Sequence, residues 1–255
     1  MRITTWNVNG LRAALRKGFL DHLNDISPSV LLLQEVRALP DQLPAEIREP
    51  AGWNVVWNPA ERPGYSGTAI WSRFPIHLHS LEVARRHRDC EGRLIEVTTG
   101  GLRVACVYLP SGSSGPDRQA IKERWLTMFR RWLDLRRHGE PLVFGGDINV
   151  AHTEKDIFHA KSNESTSGFL PHERAWLGRM INAGWHDLIR EHHGDVHGPY
   201  SWWSNRGRAR ELDRGWRIDY LFCNAAARPR FQSASICREA ALEVSDHAPV
   251  SIDLT

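Results

Sequence analysis

Apolar and polar positions change over in short blocks along the whole chain, and most blocks are too short to be anything but strands. Residues 3–8 read Ile-Thr-Thr-Trp-Asn-Val, and 30–34 read Val-Leu-Leu-Leu-Gln, the second apolar on both faces as a strand inside a covered sheet must be. Runs at 53–57, 68–72, 94–98, 102–108, 142–144, 218–222 and 249–254 predict further strands. Helical spacing takes over at 116–137, where Ile121, Trp125, Met128, Phe129 and Trp132 recur on one face, and again at 171–183 behind Pro171. A helix is also expected over 10–24, stopped near Pro28. No repeat or linker-like stretch interrupts this alternation, so the expectation is one α/β domain over 1–255. No apolar run approaches the roughly 20 residues of a membrane span.

Polar residues fall at the ends of these strands. Asn7 closes the first, Glu35 follows the second, Asp147 and Asn149 follow Leu142-Val143-Phe144-Gly145-Gly146, and Asp246-His247 precedes the last. In layered α/β proteins such ends converge on one edge of a sheet, where loops form a cleft. Carboxylates gathered there repel one another unless a cation lies among them, and oxygen donors without a Cys or His cluster favour Mg²⁺ or Mn²⁺ over zinc.

Composition refines the picture only slightly. With 41% hydrophobic and 25% charged residues and a mean hydropathy of −0.44, a disordered, fibrous or membrane-embedded chain is excluded. The 33 basic residues comprise 29 Arg and 4 Lys, beside 11 Trp, a pairing suited to phosphate and base contact, but the net charge of +3 leaves nucleic-acid binding undecided. Cys90, Cys106, Cys223 and Cys237 form no metal or disulfide pattern. The amino terminus enters a strand without a signal-peptide layout, so a cytoplasmic location is expected.

Each candidate residue carries two readings at this stage. Glu35 is either a metal ligand or a strand-end residue turned to solvent. Asp147 and Asn149 share a face by their i, i+2 spacing, beside glycines that admit a bound group, yet an Asx turn explains them equally. Asp219, a carboxylate within the apolar run Ile218 to Phe222, needs a partner: His247, whose tautomer it would fix, or an arginine such as Arg217.

Taken in order, the motifs are more specific. Trp6-Asn7-Val8-Asn9-Gly10-Leu11-Arg12, Leu33-Gln34-Glu35, Tyr108-Leu109-Pro110, Gly146-Asp147-Ile148-Asn149-Val150-Ala151-His152, Ser167-Gly168-Phe169-Leu170-Pro171, Tyr200-Ser201-Trp202-Trp203, Gly215-Trp216-Arg217-Ile218-Asp219-Tyr220 and Ser245-Asp246-His247-Ala248-Pro249 closely resemble the exonuclease III family of apurinic/apyrimidinic endonucleases, within the endonuclease/exonuclease/phosphatase superfamily. The resemblance implies a DNase I-like four-layer α/β sandwich, two packed mixed β-sheets flanked by helices. It also implies Mg²⁺-dependent hydrolysis, with Mn²⁺ as a possible substitute, of the phosphodiester 5' to an abasic site in double-stranded DNA, together with 3'-5' exonuclease or 3'-phosphodiesterase activity on blocked 3' ends. A phosphatase or phosphodiesterase of the same superfamily acting on a non-DNA phosphate ester is the alternative. No membrane partner and no oligomer are implied.

Roles carry over by position. Glu35 would be the main metal ligand, with Asn7 and Asp246 beside it and Asp147 and Asn149 nearby. Asp147 would orient or deprotonate the attacking water, Asn149 would hold the phosphate, Tyr108 would contact the phosphate or leaving oxygen, and Asp219 would orient His247. Phe169, Trp202, Trp216 and Ile218 would line an apolar pocket for a flipped-out baseless sugar. Backbone contacts are expected from Arg118, Lys122 and Arg124 at the start of the long helix, from Asn163, and from Tyr65 in Pro63-Gly64-Tyr65-Ser66-Gly67. Ser111 and Thr166 replace the Asn, and Asn9 the Asp, found at these positions in many relatives.

Overall fold

The computed structural model describes residues 1–84 and 89–255. With strands numbered in chain order, one sheet contains β1 (Arg2–Asn7), β2 (Val30–Gln34), β3 (Asn54–Asn58), β4 (Thr68–Ser72), β11 (Phe231–Ile236) and β12 (Val250–Leu254) in the order β11-β12-β1-β2-β4-β3. The other contains β5 (Ile76–Ser80), β6 (Leu94–Thr99), β7 (Leu102–Tyr108), β8 (Leu142–Asp147), β9 (His186–Asp187) and β10 (Asp219–Cys223) in the order β5-β6-β7-β8-β10-β9. Both sheets are mixed: β1 and β2 are parallel in one, β7 and β8 in the other, and the remaining pairs are antiparallel.

Twofold alternation sorts the apolar side chains into layers. Along β2, Val30 and Leu32 join Val104, Cys106 and Val143 between the sheets, whereas Leu31 and Leu33 face outward. That outer face is covered by α1 (Leu11–Leu15), α2 (Phe19–Ile26), α3 (Ala45–Arg48) and α7 (Arg238–Glu243), around Trp6, Phe19 and Trp71. The outer face of the second sheet, with Ala105, Phe144 and Phe222, is covered by α4 (Pro116–Asp134) and α5 (Pro171–Asn182). A short helix, α6 (Leu188–His193), contributes Leu188 and Ile189 to the layer between the sheets. The four-layer sandwich is therefore as expected.

The predicted helix over 10–24 is two helices, because the chain turns at Gly18 with φ 89°. Strand β8 runs three residues beyond the predicted 142–144. Gly146 makes this possible: a Cβ there would come within 1.7 Å of the Val107 carbonyl oxygen.

Candidate active site

Topology alone brings the strand-end residues together. The carboxyl ends of the parallel pairs β1/β2 and β7/β8 and the amino ends of the antiparallel β10 and β12 lie on the same edge of the sandwich. Glu35, Tyr108, Asp147 and His247 therefore line one cleft of about 370 Å³, with Asn7 and Asp219 fully buried behind them. Asp219 faces Asp147 directly across the β8/β10 ladder. Glu35 and Asn149 step off their strands with φ 53° and 54°, a left-handed conformation uncommon for residues other than glycine.

A hydrogen-bond network fixes the group. Asn7 Nδ2 donates to Glu35 Oε1 and to Asp147 Oδ2, both at 2.9 Å, and Tyr108 OH donates to Glu35 Oε1 at 2.8 Å. Arg37 closes on the other Glu35 oxygen. Asp246 is held at Oδ1 by Asn9 Nδ2, 2.7 Å, and at Oδ2 by Trp202 Nε1, 3.2 Å. The Asn149 amide nitrogens donate to Asp147 Oδ1 and, from the side chain, to the Leu109 carbonyl, both at 2.9 Å. His247 Nδ1 lies 3.1 and 2.9 Å from the two Asp219 oxygens, and Ser201 Oγ donates to Asp219 Oδ2 at 2.7 Å. His247 Nε2 faces Asp147 Oδ2 at 3.9 Å.

The electrostatics follow from burial and crowding. Burial, then the neighbouring carboxylates of Asp219 and Glu35, raises the Asp147 pKa against the opposing pull of His247. Burial would lower the His247 pKa, but Asp219 and Asp147 overcome it and raise it to about 10. Burial likewise opposes ionisation of Asp246, yet His247, Asn9 and Trp202 hold its pKa below the usual value. Burial and the Glu35 charge keep Tyr108 protonated, its pKa well above the usual 10.

Asp147, Asp219 and His247 present one donor atom each within 4.8 Å of one another, a group that can bind a metal. Asp219 is ill placed to be a ligand itself, because its oxygens already serve His247 and Ser201 in full burial. Glu35, Asp147 and Asp246 each line the cleft and carry carboxylate oxygen, the donor type a hard divalent cation takes. Asn7 turns its amide nitrogen toward Glu35 and Asp147 while its oxygen accepts from Asn9 N at 3.0 Å. In this arrangement the Asn7 amide nitrogen bridges the two carboxylates.

The apolar wall adjoins this group. Trp202, Trp216 and Ile218 line the same cleft, with the two indoles edge-on at 5.9 Å. Phe169 does not reach the cleft; it is fully buried behind the wall with Ile157 and Ala151, its ring under the Arg174 guanidinium. Tyr65 and Arg118 line the cleft mouth and are joined by a 2.7 Å hydrogen bond.

Three expected contacts are placed otherwise. Lys122 is wholly buried, bound to Glu173 at 2.6 Å, so it is not on a solvated DNA-facing surface. Arg124 is exposed on α4 away from the cleft lining, and Asn163 turns its amide into its own loop, onto the His159 carbonyl. Arg217 is also interior, paired with Asp156 and Asp187, which leaves Asp219 to His247.

Sequence reasoning missed Arg93, which lines the cleft while almost fully buried, with its guanidinium 4.5 Å from the Tyr108 ring centroid and paired to Glu91. Its signal was present: an Arg directly before the apolar run of β6 must find a partner. Arg37 and Ser201, which bind Glu35 and Asp219, had no such signal.

The chain is similar to known proteins over nearly its whole length. A family model described as the endonuclease/exonuclease/phosphatase family matches residues 4–247. The exodeoxyribonuclease of Bacillus subtilis (strain 168) is 34% identical over 253 residues, 99% of this chain and 98% of the relative. The DNA repair nuclease APEX1 of Danio rerio is 34% identical over 257 residues, 100% and 82%. A solved structure of a 3' phosphatase from Neisseria bound to product DNA hairpin superposes with a TM-score of 0.89 at 30% identity, covering 100% of this chain and 99% of that one.

Proposed function

The chain belongs to the endonuclease/exonuclease/phosphatase family, and from that premise we propose that it is a Mg²⁺-dependent DNA repair endonuclease. It hydrolyses the phosphodiester 5' to an abasic site in double-stranded DNA and leaves a 3' hydroxyl, with 3'-5' exonuclease or 3'-phosphodiesterase activity at blocked ends. The observation that carries this reading is the sharing of one cleft by the carboxylate and imidazole group and the Trp202, Trp216 and Ile218 wall. A hydrolytic site needs only the first; a wall of two indoles gives it a place for a sugar without its base.

Glu35 and Asp246, with Asp147 beside them, would hold the cation, which supplies charge neutralisation at the phosphate. Asn7 keeps Glu35 and Asp147 at a fixed separation. Asp147, raised toward neutrality, is suited to accept a proton from the attacking water. His247, kept protonated by Asp219, and the Asn149 amide would meet the negative charge that develops on the phosphoryl oxygens. Tyr108, neutral and hydrogen-bonded to Glu35, would present its hydroxyl to the phosphate or leaving oxygen. Tyr65 and Arg118 at the cleft mouth would meet the DNA backbone.

We read residues 1–255 as one domain acting as a monomer in the cytoplasm. The cleft draws on Asn9 near one end of the chain and on His247 near the other. Among the described residues no helix is long and apolar enough to cross a membrane.

The deciding experiment is incubation of a duplex carrying one tetrahydrofuran abasic analogue with and without Mg²⁺, beside inositol phosphates. Mg²⁺-dependent incision 5' to the analogue is expected. A folded protein that leaves the duplex intact, or that prefers the inositol phosphates, overturns the reading.

A further inference from the structure

Behind the cleft lies a buried ion pair that the reaction as described does not use. Lys122 on α4 and Glu173 on α5 are both fully buried, with Lys122 Nζ 2.6 Å from Glu173 Oε1. The ammonium also donates to the Asn149 carbonyl oxygen at 2.9 Å. Glu173 Oε1 accepts from Gln119 Nε2 at 3.0 Å, and Oε2 accepts the backbone N–H groups of Gly168 at 2.6 Å and Leu170 at 3.2 Å. The pair thus joins two helices to two cleft segments: the Asp147-Ile148-Asn149 run and the turn around Gly168.

Both cleft segments bear on the site. Gly168 is packed so closely that a Cβ would lie 3.1 Å from the Asn149 carbonyl oxygen and 3.2 Å from the Trp216 ring. Asn149 holds a left-handed backbone conformation, φ 54°, and its carbonyl oxygen accepts from the Lys122 ammonium.

Burying an ammonium and a carboxylate costs several kcal/mol per ion, and apolar side chains of similar volume commonly stabilise a fold as well or better. The sequence makes the choice conspicuous. Lys122 occupies the first position of the stripe Trp125, Leu126, Phe129, Trp132 and Leu133, and Glu173 that of the stripe Trp176, Leu177 and Met180, where i, i+3, i+4, i+7 spacing calls for apolar residues. Leucines at both positions could fill the space. They could not donate to Asn149 or accept from the turn.

We propose that Lys122 and Glu173 are positioning residues for phosphodiester hydrolysis, acting as a clasp that sets Asn149 and the Gly168 turn relative to Asp147 and Trp216. The proposal rests on the function proposed above. It assigns Lys122 to catalysis through Asn149, and not to DNA binding.

The test compares Lys122→Met/Glu173→Leu, Glu173→Gln and Lys122→Arg with the wild type. Thermal melting, kcat and KM on the tetrahydrofuran duplex, and duplex affinity in EDTA are measured. The apolar double variant leaves the Asn149 carbonyl and the Gly168 and Leu170 N–H groups without these partners, so it is expected to melt below the wild type yet stay folded at the assay temperature, to lose about 10- to 100-fold in kcat, as misplacement of about 1 Å does, and to keep KM and EDTA affinity within about threefold. Lys122→Arg, which keeps charge and donors, should recover most of kcat.

Acting through Asn149, the clasp should also be non-additive with it. Glu173→Gln added to Asn149→Ala should lower kcat by less than about threefold beyond Asn149→Ala alone. That cycle decides the matter if the double variant does not fold. A folded double variant with wild-type kcat, a weakened EDTA affinity with kcat intact, or fully multiplicative losses with Asn149→Ala would each overturn the proposal. A wild type that leaves the duplex intact overturns the functional reading itself, whereas an active wild type with equally active variants overturns the clasp alone.

Discussion

Replacing Asp219 by asparagine should disable His247 while leaving the cleft in place, and the surrounding hydrogen bonds show why. Ser201 Oγ accepts the backbone N–H groups of Ile218 and Asp219 at 3.1 and 3.0 Å, so its own hydrogen must go to Asp219 Oδ2. His247 Nδ1–H needs the same carboxylate. An amide has one oxygen for these two donors; if Ser201 takes it, the NH₂ group faces His247 Nδ1 and the ring can accept only when neutral. Burial would lower the His247 pKa, and Asp219 supplies the largest of the attractions that instead raise it to about 10 and favour the imidazolium. Without the Asp219 charge, burial is opposed chiefly by Asp147 at 3.9 Å, and the ring should be neutral at pH 7.5. Losing one charged donor to the developing phosphoryl charge should lower kcat by about 10²- to 10³-fold, or about 3 to 4 kcal/mol, with little change in KM. Single-turnover cleavage of the abasic-analogue duplex measures this, and His247→Ala should add little to the loss. A folded Asp219→Asn variant within about fivefold of wild-type kcat would refute the orienting role.

Three other substitutions test the architecture. Glu96 is fully buried and bound by Arg103, Arg136 and the Trp132 indole; burial opposes its ionisation, but the two arginines overcome that and lower its pKa. Its stabilising contribution is therefore complete above the unfolded value near 4.5 and is lost as pH falls through the lower folded value. Glu96→Gln should melt about 5 to 10 °C below the wild type at pH 7, for a loss of about 2 to 3 kcal/mol, and the gap should narrow below pH 4; a constant gap down to pH 3 would contradict the assignment. Gly146→Ala should prevent soluble expression or lower the melting temperature by more than about 10 °C, because the added methyl meets the Val107 carbonyl; a wild-type melt would refute the close β7/β8 approach. Trp202→Phe keeps an aromatic wall but removes the N–H on Asp246, so Mn²⁺ affinity measured by calorimetry should weaken about tenfold, and unchanged affinity would sever the wall from the acidic group.

What the sequence could reveal depended on burial. Strands covered on both faces, such as β2, β4 and β7, left continuous apolar runs. Two edge strands did not: β5 reads Ile-His-Leu-His-Ser and β11 reads Phe-Gln-Ser-Ala-Ser-Ile, each largely exposed, so neither was foreseen, whereas the edge strand β3 keeps the apolar run Val55-Val56-Trp57 and was. The short helices α3, α6 and α7 are likewise below the length at which a periodic stripe emerges. The candidate site was legible because a carboxylate or amide at the end of an apolar strand is an exception to the pattern. The depth of each residue was not. Phe169 resembles a pocket residue in sequence but lies behind the pocket, and Asn7 offers its nitrogen because the adjacent carboxylates and Asn9 N dictate its rotamer.

Charged residues were misread most often, and for one physical reason. On identity alone Lys122 reads as a DNA-backbone contact and Arg217 as a partner of Asp219, although both stand in register with buried neighbours. Arg217 lies between Trp216 and Ile218, whose side chains face the cleft wall; alternation sends its own side chain the other way, into Asp156 and Asp187. Glu173 begins the apolar stripe of α5 just as Lys122 begins that of α4. A charge at a core-facing position is unstable without a partner, so each predicts a second buried group of opposite sign. In this chain the partners are Glu173 for Lys122, Asp156 and Asp187 for Arg217, and Glu91 for Arg93. Every one of these pairs touches a segment that borders the cleft: Asn149 and Gly168, the Trp216 to Asp219 run, and Tyr108. These three interior cations therefore sit where loops must be held in one geometry, while Glu96 with Arg103 and Arg136 is a buried cluster away from the cleft, and the net charge of +3 reveals neither because each cation has acidic partners in the same total.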